Sequence, residues 1–247
     1  MRILFTGATT ACILCLSPVT NSIAGETDVY KLFKSTHGAV QYSIPTLSGE
    51  NTIGGGGAIL LNKTKRLWAT AFHVIPEMYP AFKEDKGYLK VNNSAAKLIC
   101  ASSVFDVAIL ETESVSAEST EAVLNKPEEG SEVFAIMGGS LVSFSNLMHT
   151  TAGMNALLTT ADQRFKAQIQ SVFEARLHNG TLNPEFTGGW FFSLDKAVRT
   201  GFSGGGMMNK EGKTLGLATT ISGGVSYITS SQNITALVQS KECAKLH

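Results

Sequence analysis

The chain has 247 residues, 43% of them hydrophobic and 16% charged, which fits a globular protein with one large or two small cores and excludes a disordered one. Twenty basic and twenty acidic residues cancel to a formal net charge of zero, so bulk electrostatics give no reason to expect a nucleic-acid or acidic-lipid partner. The 24 glycines and 6 prolines promise many turns without a low-complexity stretch.

Residues 1–24 read as a secretory leader. Arg2 supplies the positive start, Ile3 to Leu16 is mostly apolar, and Ser22-Ile23-Ala24 forms a small-x-small cleavage site before Gly25. The apolar run is too short for a comfortable membrane span, so no membrane attachment is expected after its removal. Cys12 and Cys15 lie inside that run and would leave with it. The mature chain keeps Cys100 and Cys243, which either form one disulfide or stay as two buried thiols.

After the leader, Thr27 to Lys34 can form a short helix capped by Thr27 and ended at His37-Gly38. Val40, Tyr42 and Ile44 alternate with smaller or polar residues, which is strand periodicity. Gly54 to Gly57 leads into Ala58-Ile59-Leu60-Leu61. A polar turn over 62–66 separates this run from Leu67 to Ala71, giving a hairpin pattern. Short strands are expected around 89–91, 97–101 and 107–110. The polar stretch 112–130 reads as a connection. Strands are then expected at 133–137, 150–158, 167–173, 189–192, 206–208, 214–220 and 225–228. Ser230 or Ser231 caps a helix from about 232 to 245, on which Ile234, Leu237 and Val238 have helical spacing. The expected class is all-β, two modules of similar size with a C-terminal helix.

Two glycine-bearing segments carry no phosphate-binding signal. Gly212-Lys213-Thr214 lacks the required glycine at position 207, which is Met207, and enters a strand. Gly54 to Gly57 has no helix after it. No His/Cys/Asp/Glu cluster has metal-ligand spacing, and neither a metal nor a cofactor is expected.

The segment Gly201-Phe202-Ser203-Gly204-Gly205-Gly206 lies between two apolar runs. A serine among glycines reads as a tight turn, or as a nucleophile whose neighbouring backbone N–H groups can approach a substrate oxyanion. A serine hydroxyl needs a base, and the base needs a partner that fixes its tautomer and supports its positive charge. Of the five histidines, His37, His149 and His178 lie in polar or turn-like sequence, and His247 is the last residue. His73 stands in the apolar run 69–75, directly after a strand. Asp106 is the aspartate embedded in a hydrophobic strand, and burying an ionised carboxylate is costly unless it is paired. A hydrogen bond to His73 would resolve that cost.

Thr70-Ala71-Phe72-His73-Val74, Phe105 to Leu110 and Gly201 to Gly205 follow each other in the order His, Asp, Ser. With these motifs the chain resembles the trypsin-like, chymotrypsin-fold serine peptidases, and among them the Deg/HtrA-type protease domain. Gly55 to Leu61 is similar to the family's glycine-led strand before the histidine. Residues 135–158, 209–220 and 224–238 resemble its later strands and closing helix. The resemblance covers almost all of the mature chain.

It implies two perpendicular six-stranded β-barrels, at about 38–111 and 131–229, with the active site between them. It implies Ser203 as nucleophile, His73 as general base and Asp106 as its orienting partner. The N–H groups of Gly201 and Ser203 would form the oxyanion hole. Ala197 would lie at the base of an apolar specificity pocket, and Ser222 with Gly223 on an edge strand that pairs with substrate backbone. The implied activity is endopeptidase cleavage of a protein or peptide substrate, in the periplasm or outside the cell.

The chain departs from the family at two positions in the serine motif. Phe202 stands where Asp or Asn is usual, which leaves the resting shape of the loop open and keeps a catalytically silent binding module as the alternative. Gly206 replaces a usual proline and is expected to loosen the loop. The start of the mature chain has no Ile-Val-Gly-Gly-like sequence, so no activation by insertion of a freed N-terminus is expected. Only a helix is expected after Ser230, so the PDZ domain that Deg/HtrA proteins usually carry is not expected here.

Overall fold

The computed structural model describes residues 26–46, 49–75, 88–137, 163–178, 181–185, 187–198, 201–222 and 224–246. The expected leader, the expected strand at 150–158 and Gly223 lie outside them.

Among the described residues helix α1 (Glu26–Thr36) comes first, starting one residue before and ending two residues after the 27–34 expected. It is amphipathic, and its buried side chains Val29, Tyr30 and Phe33 share one cluster with the second half of the chain. The hydroxyl of Tyr30 donates to the Phe165 carbonyl at 3.1 Å. Lys34 in the last turn complements the negative end of the helix dipole.

Six antiparallel strands then close into a barrel: β1 (His37–Thr46), β2 (Gly49–Asn62), β3 (Leu67–Thr70), β4 (Tyr88–Val91), β5 (Ser94–Ser102) and β6 (Val107–Thr112). Their spatial order is β1-β2-β3-β6-β5-β4, with β4 returning to β1. Apolar members of the strands fill the interior: Val40, Leu60, Trp68, Val91, Ala108 and Leu110 pack together, with Leu98 of β5 against them. Closure removes free sheet edges, which is how an all-β unit of this size avoids presenting unpaired backbone.

The second barrel uses β7 (Glu132–Met137), β8 (Gln163–His178), β10 (Gly189–Leu194), β11 (Gly206–Met208), β12 (Thr214–Ser222) and β13 (Val225–Ser230). The order β10-β13-β12-β11-β7-β8 closes through a β8–β10 ladder. Strand β9 (Thr181–Asn183) folds back on the end of β8 as a hairpin. Strand β8 far exceeds the 167–173 expected. It serves three partners along its length: β7 first, then β10, then β9.

The chain ends in α2 (Ser231–Val238), capped by Ser230, whose hydroxyl accepts from the Gln232 N–H at 3.2 Å. The helix stops at Val238 instead of running to 245. A short 3-10 segment (Lys241–Leu246) follows, and it turns Cys243 against β5. There Cys243 and Cys100 form a disulfide with their Cα atoms 5.3 Å apart. The described residues are therefore mostly sheet, two closed six-stranded antiparallel barrels with helices α1 and α2, an architecture consistent with the trypsin-like fold.

Candidate active site

Each of the three motifs ends at the seam between the barrels. His73 sits in a single 3-10 turn (Phe72–Val74) just past β3. Asp106 is not inside a strand, as its apolar context suggested. It is the last residue of the turn before β6, in the left-handed region at φ 53°. Aspartate is one of the few non-glycine residues that enter this region with any frequency.

The consequence of that turn is a two-point grip. Asp106 Oδ1 accepts the backbone N–H of His73 at 2.9 Å, and Oδ2 meets His73 Nδ1 at 2.8 Å. The carboxylate is 1% exposed, whereas the histidine side chain is 37% exposed. One edge of the imidazole is thus anchored in the protein while the side chain stays partly open to solvent. With Nδ1 donating to the carboxylate, Nε2 is left as the lone pair available to a proton donor.

The turn that bears Asp106 is held by the opposite barrel. The Thr229 hydroxyl donates to the Phe105 carbonyl at 2.7 Å, and the Leu177 N–H donates to the Val104 carbonyl at 3.0 Å. Thr229 is fully buried. The position of Asp106 therefore depends on both barrels being assembled.

Ser203 arrives from the second barrel on the loop between β10 and β11 and is half-buried. Its carbonyl accepts the Gly57 N–H at 2.8 Å, and the Gly57 carbonyl accepts the Thr70 hydroxyl at 2.7 Å. The serine loop is thus tied to β2, and through it to the strand that leads to His73. On its own side, the Gly204 N–H donates to the Ala218 carbonyl at 2.8 Å and the Gly205 N–H to the Phe202 carbonyl at 2.8 Å.

These close approaches explain the glycines. A Cβ at Gly57 would lie 2.5 Å from Gly205 Cα. Gly204 has φ 77°, and a Cβ there would run into the Thr70 hydroxyl and the Gly57 carbonyl. The run Gly54 to Gly57 does not merely lead into a strand. It is part of β2, where that strand passes under the serine loop.

Among the described residues, Ser203 and His73 share no hydrogen bond, so the structure joins His73 to Asp106 and ties the Ser203 backbone to β2 without closing the last link. Catalytic hydrogen bonds are often long in an unliganded site and tighten with substrate. Gly201 has φ 94°, a conformation open to glycine, and the Ser203 N–H meets no acceptor among the described residues.

The expected substrate-binding residues are more scattered. Ala197 is exposed, while its neighbour Val198 is buried and donates its N–H to the Ser226 hydroxyl at 2.6 Å. Ser222 ends β12 and pairs with Val225 on β13. Beyond Ala218, the other edge of β12 pairs with no strand among the described residues. Asp195 and Thr220 border an open cavity of about 840 Å³ whose walls also include Ser171, Ser193, Val225 and Tyr227.

Two residues at this site escaped the sequence reading. Phe33 stacks on Phe202, and His37 stacks on Phe33 and reaches Gly206. His37 occupies a turn-like stretch of sequence, with nothing local to mark it. No group of three or more His, Cys, Asp or Glu among the described residues could hold a metal ion. No helix among the described residues is long and apolar enough to cross a membrane. No family model and no curated protein matches the chain.

Proposed function

We propose that the chain is a serine endopeptidase of the trypsin-like fold, related to the Deg/HtrA-type protease domain. The observation that carries this reading is the double hydrogen bond from Asp106 to His73, made beside a docked serine loop. A buried carboxylate gripping a half-exposed imidazole has little structural purpose on its own, and it is the arrangement a general base requires.

In this reading, the Ser203 hydroxyl attacks the scissile carbonyl and passes its proton to His73 Nε2. Asp106 holds the imidazole in the required tautomer and stabilises its cation without taking the proton. The oxyanion rests on the N–H groups of Gly201 and Ser203, where one such donor is worth roughly 3–4 kcal/mol in a comparable enzyme. His73 then gives the proton to the leaving amine, and water releases the acyl group by the same route. The substrate backbone lies along the open edge of β12 near Thr220 to Ser222.

The Cys100–Cys243 disulfide suits an oxidising compartment, which supports export by the leader to the periplasm or the cell exterior. A non-catalytic binding module on the same fold is the competing reading, and the open Ser203–His73 link is what favours it. A fluorophosphonate probe separates the two. Labelling of the mature protein that disappears in Ser203→Ala supports the peptidase. A folded protein that resists labelling refutes it.

A further inference from the structure

The two departures of the serine motif, Phe202 and Gly206, meet the same short segment of the chain. The Phe202 ring lies over Gly205, where an added Cβ would be 2.7 Å from its Cζ. On its other side, Phe202 stacks against Phe33, with ring centroids 6.3 Å apart and planes 20° from parallel. Phe33 in turn stacks on His37 at 3.4 Å and 11°. The His37 ring then fills the space above Gly206, where any Cβ would strike Nε2 and the Ile59 methyl at 2.6 Å. Gly206 therefore has a steric role that its sequence context did not suggest. It is the residue that lets His37 close over the start of β11.

His37 is fixed in this place. Its Nδ1 meets the Phe33 carbonyl and the Thr36 hydroxyl, both at 2.9 Å. The carbonyl can only accept, so Nδ1 carries the proton and Nε2 is a bare acceptor. Nε2 is sealed from solvent and has no hydrogen-bond partner, although the residue as a whole is half-buried. A buried polar atom without a partner is a cost that folding tolerates only where the placement is needed.

We infer that residues 33–37 form a brace that holds the serine loop in shape, with Phe33 and His37 acting as positioning residues through Phe202 and Gly206. The inference rests on the peptidase reading above, which it deepens. The segment enters from α1, whose Val29 and Tyr30 are sunk in the same cluster as Phe202. Loop shape is thus set by packing from the N-terminal segment. Phe202 can stand at a position that faces the oxyanion donors' backbone because its side chain turns away from the cleft into that packing.

The test uses the mature protein with Phe33→Ala and Phe33→Leu, compared at a temperature where circular dichroism shows all three folded. Phe33→Leu keeps most of the apolar volume but loses the stacked ring, and it serves if the alanine variant fails to fold. Two quantities are read: the rate of fluorophosphonate labelling per folded molecule, and amide hydrogen exchange of a peptide spanning Gly201 to Met207. Displacement of catalytic groups by about 1 Å costs on the order of 10²-fold. Labelling by Phe33→Ala is expected to fall by about that factor, with Phe33→Leu between it and the wild type, and loop exchange should quicken in both. Peptide turnover should fall in kcat with KM little changed. Wild-type labelling and exchange in folded variants would overturn the brace. If the wild type itself is not labelled, the peptidase reading fails, and the exchange measurement alone decides the brace: faster exchange supports it and unchanged exchange overturns it.

Discussion

Asp106 holds His73 at two atoms, taking the backbone N–H at 2.9 Å and the ring Nδ1 at 2.8 Å. The first bond fixes where the 3-10 turn sits, and the second fixes which way the ring points. Both come from one carboxylate that is 1% exposed, on a turn clamped by Thr229 and Leu177 from the other barrel. The relationship makes Asp106 a structural and an electrostatic partner at once, and the two roles can be separated.

Asp106→Asn separates them. Asparagine accepts the left-handed backbone and is nearly isosteric, so the fold should survive. The amide can still accept from the His73 backbone through its oxygen, but its nitrogen then faces Nδ1 as a donor. The imidazole is driven to the opposite tautomer and Nε2 can no longer take a proton. Turnover of a peptide substrate should drop on the order of 10⁴-fold, as in comparable triads. A variant with unchanged circular dichroism and unchanged turnover would show that the carboxylate does not serve the base.

The same residues mark the boundary of what sequence reasoning can reach. His73 and Ser203 stand out in the sequence as candidates because an activated serine needs those residue types, and their order in the chain resembles a known plan. Asp106 was legible because a carboxylate among Val104, Phe105, Val107 and Ala108 needs a partner, although its place in a turn was not. Strand β8 was underestimated because both its ends are polar: Gln163 and Arg164 at one, Arg176 and His178 at the other. Those ends are strand because of their partners, and partners distant in sequence leave no local signal. His37 was dismissed for the same reason. Its environment is made by α1 and by Gly206, which no window around residue 37 contains. Past Val238 the chain leaves the helix and brings Cys243 to Cys100, a partner that no window around residue 238 contains.

Gly204→Ala tests the docking of the serine loop. The backbone at φ 77° strains any side chain, costing about 1–3 kcal/mol by itself. The new Cβ also meets backbone and hydroxyl atoms of Gly57, Thr70 and Ala71, which cannot swing aside as a flexible side chain would. The loop should lift from the first barrel and carry Ser203 with it. Fluorophosphonate labelling should be lost even in the fraction that stays folded. Normal labelling with a normal melting temperature would mean that the tie between Ser203 and Gly57 is not needed to place the nucleophile.

The disulfide joins residues 143 apart in sequence. Cross-linking a loop of that length restricts the unfolded chain, and removing a native disulfide typically costs about 2–5 kcal/mol. Here Cys243 is fully buried and the cluster around it includes Ile234 and Leu237 from α2. Cys100→Ala together with Cys243→Ala should lower the melting temperature and make the C-terminal segment the first to open in hydrogen exchange. A paired variant as stable as the wild type would show that packing of α2 holds the terminus without help.

His37 sets an acid limit on stability. Burial holds its pKa down to about 3 against an ordinary 6.5, and the nearby backbone carbonyl of Phe33 and the backbone of Gly206 offset only part of that. In the unfolded chain the residue takes up a proton as pH falls below 6.5, while in the folded protein it stays neutral until about 3. Between those values the unfolded state binds one proton more, so stability rises with pH across the window and is lost as pH falls through it. Above 6.5 the contribution is flat. From pH 7 to pH 5 the loss is about 2 kcal/mol from this residue alone. His37→Leu removes the titrating group while keeping an apolar side chain over Gly206. Its denaturation midpoint should fall less steeply than the wild type's between pH 6.5 and 4, by one proton in the slope. Identical slopes would mean that His37 is free to protonate in the folded protein, and that the seal over Gly206 opens readily enough to admit water.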